Sequence, residues 1–261
     1  MRLQTVEAIV LRTTPFSETS LVASLFTRQL GRLPVVAKGA RRPGKAVAAA
    51  LQPTNEITCL VYNKPQGGLR TISQVELQKA HPSFAASAVR FGVAARALEL
   101  VASETPEEET APSIYFLLKE ILDVFESASL ADVRVSLCSF ELQLQSTLGY
   151  GLQVTTCARC GASVDPTALV ISPSSGGVLC HRCHRGSTDH LDVTPEVVSV
   201  LQQMMTEPLR VWLHRELSDQ TRSRLITIVA KVWEYHAPGT RRSSAMSFLA
   251  EMGEELYSRT R

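Results

Sequence analysis

Two short cysteine knuckles constrain this chain more than any other feature. Cys157-Ala158-Arg159-Cys160-Gly161 and Cys180-His181-Arg182-Cys183 stand 19 residues apart, within the spacing of four-cysteine zinc sites. Each Cys-x-x-Cys turn aims two thiolates at one point; Gly161 permits the first tight turn and Gly176-Gly177 lets the chain return for the second. Four thiolates fill every tetrahedral position and leave none for an activated water. Cys157, Cys160, Cys180 and Cys183 are therefore expected to hold one structural Zn2+ per chain. In finger peptides such sites are worth about 10–16 kcal/mol of apparent binding energy. The competing readings are two disulfides, a thioredoxin-like redox pair and a catalytic zinc. Redox pairs belong to βαβ surroundings, which the helical patterning here does not offer. A deaminase needs His-x-Glu ahead of a Pro-Cys-x-x-Cys, whereas His214-Arg215-Glu216 comes after the knuckles and Thr156 precedes Cys157. His181, His184 and His190 are substitute ligands, or surface or supporting groups.

The first residues, Met1 to Glu7, carry both charge signs and lack an apolar signal core, and no later stretch approaches the roughly 20 apolar residues of a membrane span. A cytoplasmic location is expected, where paired cysteines hold metal more readily than they form a bridge. Cys59 and Cys138 sit in apolar runs and read as core. Charge is unevenly spread. Residues 1–80 hold 11 Lys and Arg against 4 Glu, or +7, while the remainder has 16 basic and 21 acidic residues, or −5. A basic module joined to an acidic body points to a polyanion site in the first third.

With 261 residues the chain can build one large domain or two to three small ones. Short strands are predicted over Leu3–Leu11, Thr19–Phe26, Arg32–Ala37, Ile57–Tyr62 and Leu69–Leu77, with a turn at Asn63–Gly68 between the last two. Five strands in about 80 residues suit a small bent barrel, either an OB-fold or an SH3-like barrel. Helical spacing then takes over. Phe84, Ala88, Phe91, Ala95 and Leu98 predict a core-facing helix capped by Ser83; Thr105–Pro112 breaks it; further helices follow from Ser113 and from Ala131, the latter stopped at Gly149-Tyr150-Gly151. Thr194-Pro195 opens another, and Leu225, Ile228, Val232 and Tyr235 mark the core stripe of a long helix ended by Pro238-Gly239. The fold class is α+β: a barrel at 1–80, helical segments at 81–154 and 192–261, and a four-cysteine module at 155–191 between them.

Directly after the third strand, Lys38-Gly39-Ala40-Arg41-Arg42-Pro43-Gly44-Lys45 places four cations and two glycines in eight residues. Such a loop is either a solvated turn or a phosphate site: mutual repulsion favours anions between the side chains, and Arg41 and Arg42 can grip phosphate oxygens bidentately or stack on bases.

Several stretches together resemble the amino-terminal signature of the RecO family of bacterial recombination mediators: Glu7 to Thr13, Phe16 to Val22, Phe26-Thr27-Arg28, Gly31-Arg32 and Val36 to Arg42. The likeness continues through Leu69-Arg70-Thr71, the helical body, Gly149-Tyr150 and the cysteine element, and fades at Arg241-Arg242-Ser243-Ser244 and Phe248-Leu249. The resemblance implies an N-terminal OB-fold, a helical C-terminal domain and, in some members, an embedded zinc module. It implies a nucleoid-associated protein of the RecFOR pathway that binds single- and double-stranded DNA and anneals complementary strands. Its implied partners are RecR, the C-terminal tail of single-strand binding protein and, indirectly, RecA. Lys38, Arg41 and Arg42 match the family's basic motif and are the leading DNA-contact candidates, with Arg12, Lys45 and Arg70 in support. Phe16 either stacks on a base or packs beneath the Pro15 turn.

The expected function is a non-enzymatic DNA repair mediator. Two other classes compete: a zinc-stabilised protein adaptor with no nucleic-acid role, and a zinc-dependent nucleic-acid hydrolase. The hydrolase requires an open metal position or a carboxylate cluster, and residues 1–80 offer Glu7, Glu18, Glu56 and Glu76.

Overall fold

The computed structural model describes residues 3–62, 68–164, 169–185, 187–237, 245 and 249. Most of the expected 63–68 turn, the Pro238-Gly239 helix stop, the Arg241–Ser244 run and Phe248 lie outside the described residues. The chain divides into two compact units, 1–126 and 127–261.

Unit one begins with β1 (Leu3–Pro15), β2 (Leu21–Thr27), β3 (Gly31–Ala37), a short helix α1 (Val47–Ala50), β4 (Glu56–Tyr62) and β5 (Arg70–Lys79). The five strands close in the order β1-β2-β3-β5-β4. β1 serves two neighbours, pairing with β4 through Leu3–Ile9 and with β2 through Ala8–Pro15, and its register shifts between Val10 and Arg12. An extra residue there bends the strand, as barrel closure demands. Closure is completed by a short parallel pairing of Val35 and Val36 with Arg70 and Thr71. Pro34 has no N–H to extend that ladder towards the start of β3. Alternate residues fill the interior: Val6, Ala8, Val10, Leu21, Ala23, Leu25, Leu33, Val35, Ile57, Cys59 and Val61 are all buried. Each large aliphatic side chain so buried is worth about 1.5–3 kcal/mol.

The same unit contains α2 (Pro82–Ala86), α3 (Ala88–Glu104) and α4 (Pro112–Ser127). Here the single helix capped by Ser83 is corrected. Ser87 is extended (φ −141°, ψ 116°), ends α2 and caps α3 by accepting the Arg90 N–H. Ser83 instead donates its hydroxyl to Glu126 at 2.7 Å. The expected core stripe holds at its ends, Phe84 and Leu98 being buried, but fails between them. Phe91 is 53% exposed and Ala88 is exposed, while Val89, Val93, Ala97, Leu100 and Val101 face inward. The stretch 105–111 does break the helix, but it also straps the barrel. Arg32 donates to the Thr105 carbonyl at 3.0 Å and pairs with Glu107 at 3.1 Å, while Arg70 pairs with Glu108 at 3.0 Å. Gly31 is required beneath this strap: its φ is +68°, and a Cβ there would lie 1.9 Å from the Glu109 carbonyl oxygen.

Unit two carries α5 (Val133–Thr147), β6 (Leu169–Ser172), β7 (Gly177–Leu179), α6 (His181–His184), β8 (Leu191–Val193), α7 (Pro195–Met204), a 3-10 turn (Leu209–Leu213) and α8 (Asp219–His236). α5 packs against α7, α8 and the 3-10 turn around the buried Trp212 and Trp233. Thr194 caps α7 by accepting the Val197 N–H, as the Thr-Pro signal predicts. At the other end of α7, Gln143 donates to the Met204 and Glu207 carbonyls at 2.8 Å each, satisfying acceptors the helix leaves open. α8 buries Leu225, Ile228 and Val232 as expected, but Tyr235 is 53% exposed, a correction to its core assignment.

Candidate nucleic-acid interface and metal centre

The register places Pro15, Leu21 and Ala37 side by side at one end of the barrel. The β1–β2 turn and the basic loop both leave from that end, so they are neighbours by construction. The Arg41 backbone N–H donates to the Thr19 carbonyl at 2.9 Å, and its guanidinium reaches the Ser17 carbonyl at 3.4 Å. Ala40 is buried and anchors the loop from beneath. Gly39 and Gly44 take φ of +67° and +78°, which fold the loop tightly at little steric cost. Lys38, Arg41, Arg42 and Lys45 are all exposed.

Most other described basic residues of the barrel are engaged. Arg28 pairs with Glu7, Arg32 with Glu107, Arg70 with Glu108 and Lys79 with Asp123. Among the described residues, no carboxylate lies within ion-pair distance of Lys38, Arg41, Arg42, Lys45 or Arg12. Arg12 is exposed and follows the β1 bulge towards the same end. Arg70 is not brought to this surface: its side chain is 7% exposed and turned to Glu108. Phe16 does not pack beneath the Pro15 turn. It is 65% exposed, with its N–H tied to the Ser20 carbonyl at 3.1 Å. Spacing alone could not place it, because a turn phenylalanine has no periodicity to read.

In unit two the four cysteines converge. One sulfur from each of Cys157, Cys160, Cys180 and Cys183 lies within 4.8 Å of all the others. The knuckles are brought together by backbone pairing. Val178 donates to the Gln153 carbonyl and Ala158 to the Val178 carbonyl, both at 2.8 Å. Gly177 allows this approach, since a Cβ there would stand 2.1 Å from the Gln153 oxygen. Arg159 of the first knuckle then donates to the Cys183 carbonyl at 3.2 Å. β6, β7 and β8 form a three-stranded antiparallel sheet beside the cluster, an element the sequence reading did not include.

The Cys160 and Cys180 sulfurs are 3.7 Å apart. A disulfide requires about 2.05 Å, whereas four sulfurs about 2.3 Å from one tetrahedral ion stand about 3.8 Å from each other. Burial pushes the Cys157 thiol up, but backbone N–H groups of Cys180, Arg159 and Cys160 outweigh it and bring it down to about 6. The Cys183 N–H likewise lowers Cys180. Cys183, hydrogen-bonded first to the Cys160 thiol and then crowded by the others, is driven up to about 12. Four sulfurs this close cannot all ionise without a cation among them, and the donor set fits a thiophilic tetrahedral ion. His181, His184 and His190 are not in the cluster; the rings of His184 and His190 pack on each other at 4.2 Å.

The chain thus joins a five-stranded barrel, bearing exposed cations without carboxylate partners among the described residues, to a unit with four convergent thiols. The "Recombination protein O N terminal" profile matches residues 1–81 and the "Recombination protein O C terminal" profile matches residues 86–245. The chain belongs to the RecO family. It is 31% identical to the DNA repair protein RecO of Pelotomaculum thermopropionicum over 97% of this chain and 96% of that one. The counterpart of the same name from Symbiobacterium thermophilum is 29% identical over 80% of this chain and 83% of its own. That of Thermoanaerobacter sp. is 32% identical over 70% and 72%. No helix among the described residues is long and apolar enough to cross a membrane.

Proposed function

We propose that the protein is a non-enzymatic DNA repair and recombination mediator that binds single- and double-stranded DNA, anneals complementary strands and assists RecA loading together with RecR. The observation that carries this reading is the cluster Lys38, Arg41, Arg42 and Lys45. These exposed cations, without carboxylate partners among the described residues, stand on the loop tied to the turn bearing the exposed Phe16. In this reading residues 1–80 are an OB-fold nucleic-acid-binding domain, with Arg12 supporting the loop and Arg70, paired with Glu108, holding the barrel rather than the DNA. Cations on one face neutralise the phosphates of two strands at once, lowering their repulsion so that pairing can nucleate; no covalent step is needed. The helical segments are α2 to α4 in unit one and α5, α7 and α8 in unit two, and 155–191 is a module in which Cys157, Cys160, Cys180 and Cys183 hold one structural Zn2+. That ion supplies cross-linking energy alone, since the four sulfurs complete its shell.

The acidic tail of single-strand binding protein is the proposed peptide partner. It is supported by an apolar cleft of about 210 Å³ in unit two, lined by Leu137, Cys138, Ile226, Ala230 and Leu249 together with Glu141 and Arg134, which donates to the Leu249 carbonyl at 2.8 Å. An apolar cleft with a cation in its lining suits a hydrophobic, acidic peptide. The test is annealing of two complementary labelled oligonucleotides followed by energy transfer. The parent accelerates annealing and an Arg41→Glu, Arg42→Glu variant of equal melting temperature does not. Acceleration by both proteins overturns the reading, and loss of DNA binding without loss of peptide binding separates the two surfaces.

A further inference from the structure

A second potential ligand cluster lies within unit one, away from the cysteines in sequence and in composition. Glu56 opens β4, His81 follows β5, and Asp123 stands on α4; one donor atom from each lies within 4.8 Å of the other two. The β4–β5 register, pairing Glu56 with Lys79, brings the first two together. The His81 ring lies nearly parallel to Phe84, centroids 5.1 Å apart and planes 8° off parallel, which fixes the plane of its nitrogens. Its Nε2 is 3.4 Å from Asp123 Oδ1.

The cluster is incompletely satisfied where it is driest. Glu56 and His81 are each 4% exposed. Yet Glu56 Oε1 and His81 Nδ1 have no hydrogen-bond partner among the described residues. A network serving packing alone pairs its buried polar atoms first, because a stranded one forfeits its hydration with no return. Glu56 Oε2 takes Lys119 at 2.6 Å, and Asp123 Oδ1, the oxygen that faces His81 Nε2, takes Lys79 at 2.5 Å. Both lysine side chains are 44% exposed on flexible stems, so both can withdraw into water.

We propose that Glu56, His81 and Asp123 bind a first-row divalent metal ion, with water completing its shell and Lys79 and Lys119 as the competing cations that a bound metal displaces. One imidazole and two carboxylates favour Mn2+, Fe2+, Co2+ or Zn2+ over Mg2+ and Ca2+, which take oxygen donors throughout. The ion clips the β4–β5 end of the barrel to α4, a structural role independent of the thiolate cluster and of DNA.

The experiment is a Mn2+ titration of the full-length, zinc-loaded protein, with free Mn2+ read by its electron paramagnetic resonance signal; manganese does not displace zinc from four thiolates. The parent takes up one saturable equivalent per chain, and Mn2+ raises its melting temperature. Asp123→Asn, at a half-exposed position, weakens uptake at least about tenfold. Lys79→Met and Lys119→Met tighten it, a change of sign that a purely structural ion-pair network does not produce. Absence of saturable uptake by the parent, or equal uptake by parent, Asp123→Asn and both lysine variants, overturns the proposal.

Discussion

The backbone N–H of Arg41 donates to the carbonyl of Thr19 at 2.9 Å, locking the basic loop to the turn that holds Phe16 out in solvent. Cations and an aromatic face are thereby fixed relative to each other before any ligand arrives. Phe16→Ala is expected to weaken single-stranded DNA binding by about 1–3 kcal/mol, the value of one stacked base. Because no charge is removed, the salt dependence of binding stays unchanged, and because the side chain is exposed, so does the melting temperature. Fluorescence anisotropy at several salt concentrations checks this; an unaltered affinity removes Phe16 from the interface.

Arg70 and Glu108 form a pair with one nearly buried end. Glu108→Ala leaves the guanidinium buried without this carboxylate and loosens the strap over the barrel, at an expected cost of about 3 kcal/mol in urea unfolding. Arg70→Ala destabilises the protein similarly but leaves the salt slope of DNA binding as in the parent. A flatter slope for Arg70→Ala places its charge on DNA instead.

Gly177→Ala forces a Cβ against the Gln153 carbonyl at a backbone contact that cannot yield cheaply, and so separates the knuckles. Zinc retention against a chelator is expected to fall sharply, approaching that of Cys157→Ser, while the barrel's near-ultraviolet signals persist. A variant that holds one zinc per chain as tightly as the parent contradicts the assignment of this contact.

Asp189 accepts from the Ser174 N–H at 2.7 Å and from the Ser172 and Ser187 hydroxyls at 2.9 Å each. Burial opposes its charge, but these donors prevail and lower it from 3.8 to about 2. The folded carboxyl is the stronger acid, so its stabilisation is complete above 3.8 and is lost as pH falls through about 2. Asp189→Asn should therefore be less stable than the parent at neutral pH, with the gap closing between these two values. A gap that persists at the acid end contradicts the sign. Chemical denaturation across that range measures it.

The parts legible in the sequence were those with a short repeat or a fixed spacing. The five barrel strands were legible as short β-rich or apolar runs, alternating at Leu21, Ala23 and Leu25, and the cysteine cluster through two Cys-x-x-Cys knuckles. The break at Ser87 was hidden because Ala85, Ala86 and Ala88 give no phase, and because the buried face of α3 includes Gly92 and Arg96, which an apolar count skips. The pairings of Arg32 with Glu107 and of Arg70 with Glu108 join residues 75 and 38 positions apart, a distance no local pattern spans. For the same reason Arg70 read as one more surface cation. Strands β6 to β8, three or four residues each, are too short to alternate visibly, and exist because the cysteine cluster and Asp189 hold their turns.

The most direct measurement is anisotropy of a labelled single-stranded oligonucleotide as a function of salt, for the parent and for the Lys38→Ala, Arg41→Ala, Arg42→Ala triple variant. Each lost phosphate contact flattens the log-log slope by about 0.7, so three lost contacts predict weaker binding and a slope lower by about 2. Equal slopes and equal affinities for the two proteins would contradict the placement of DNA on this loop.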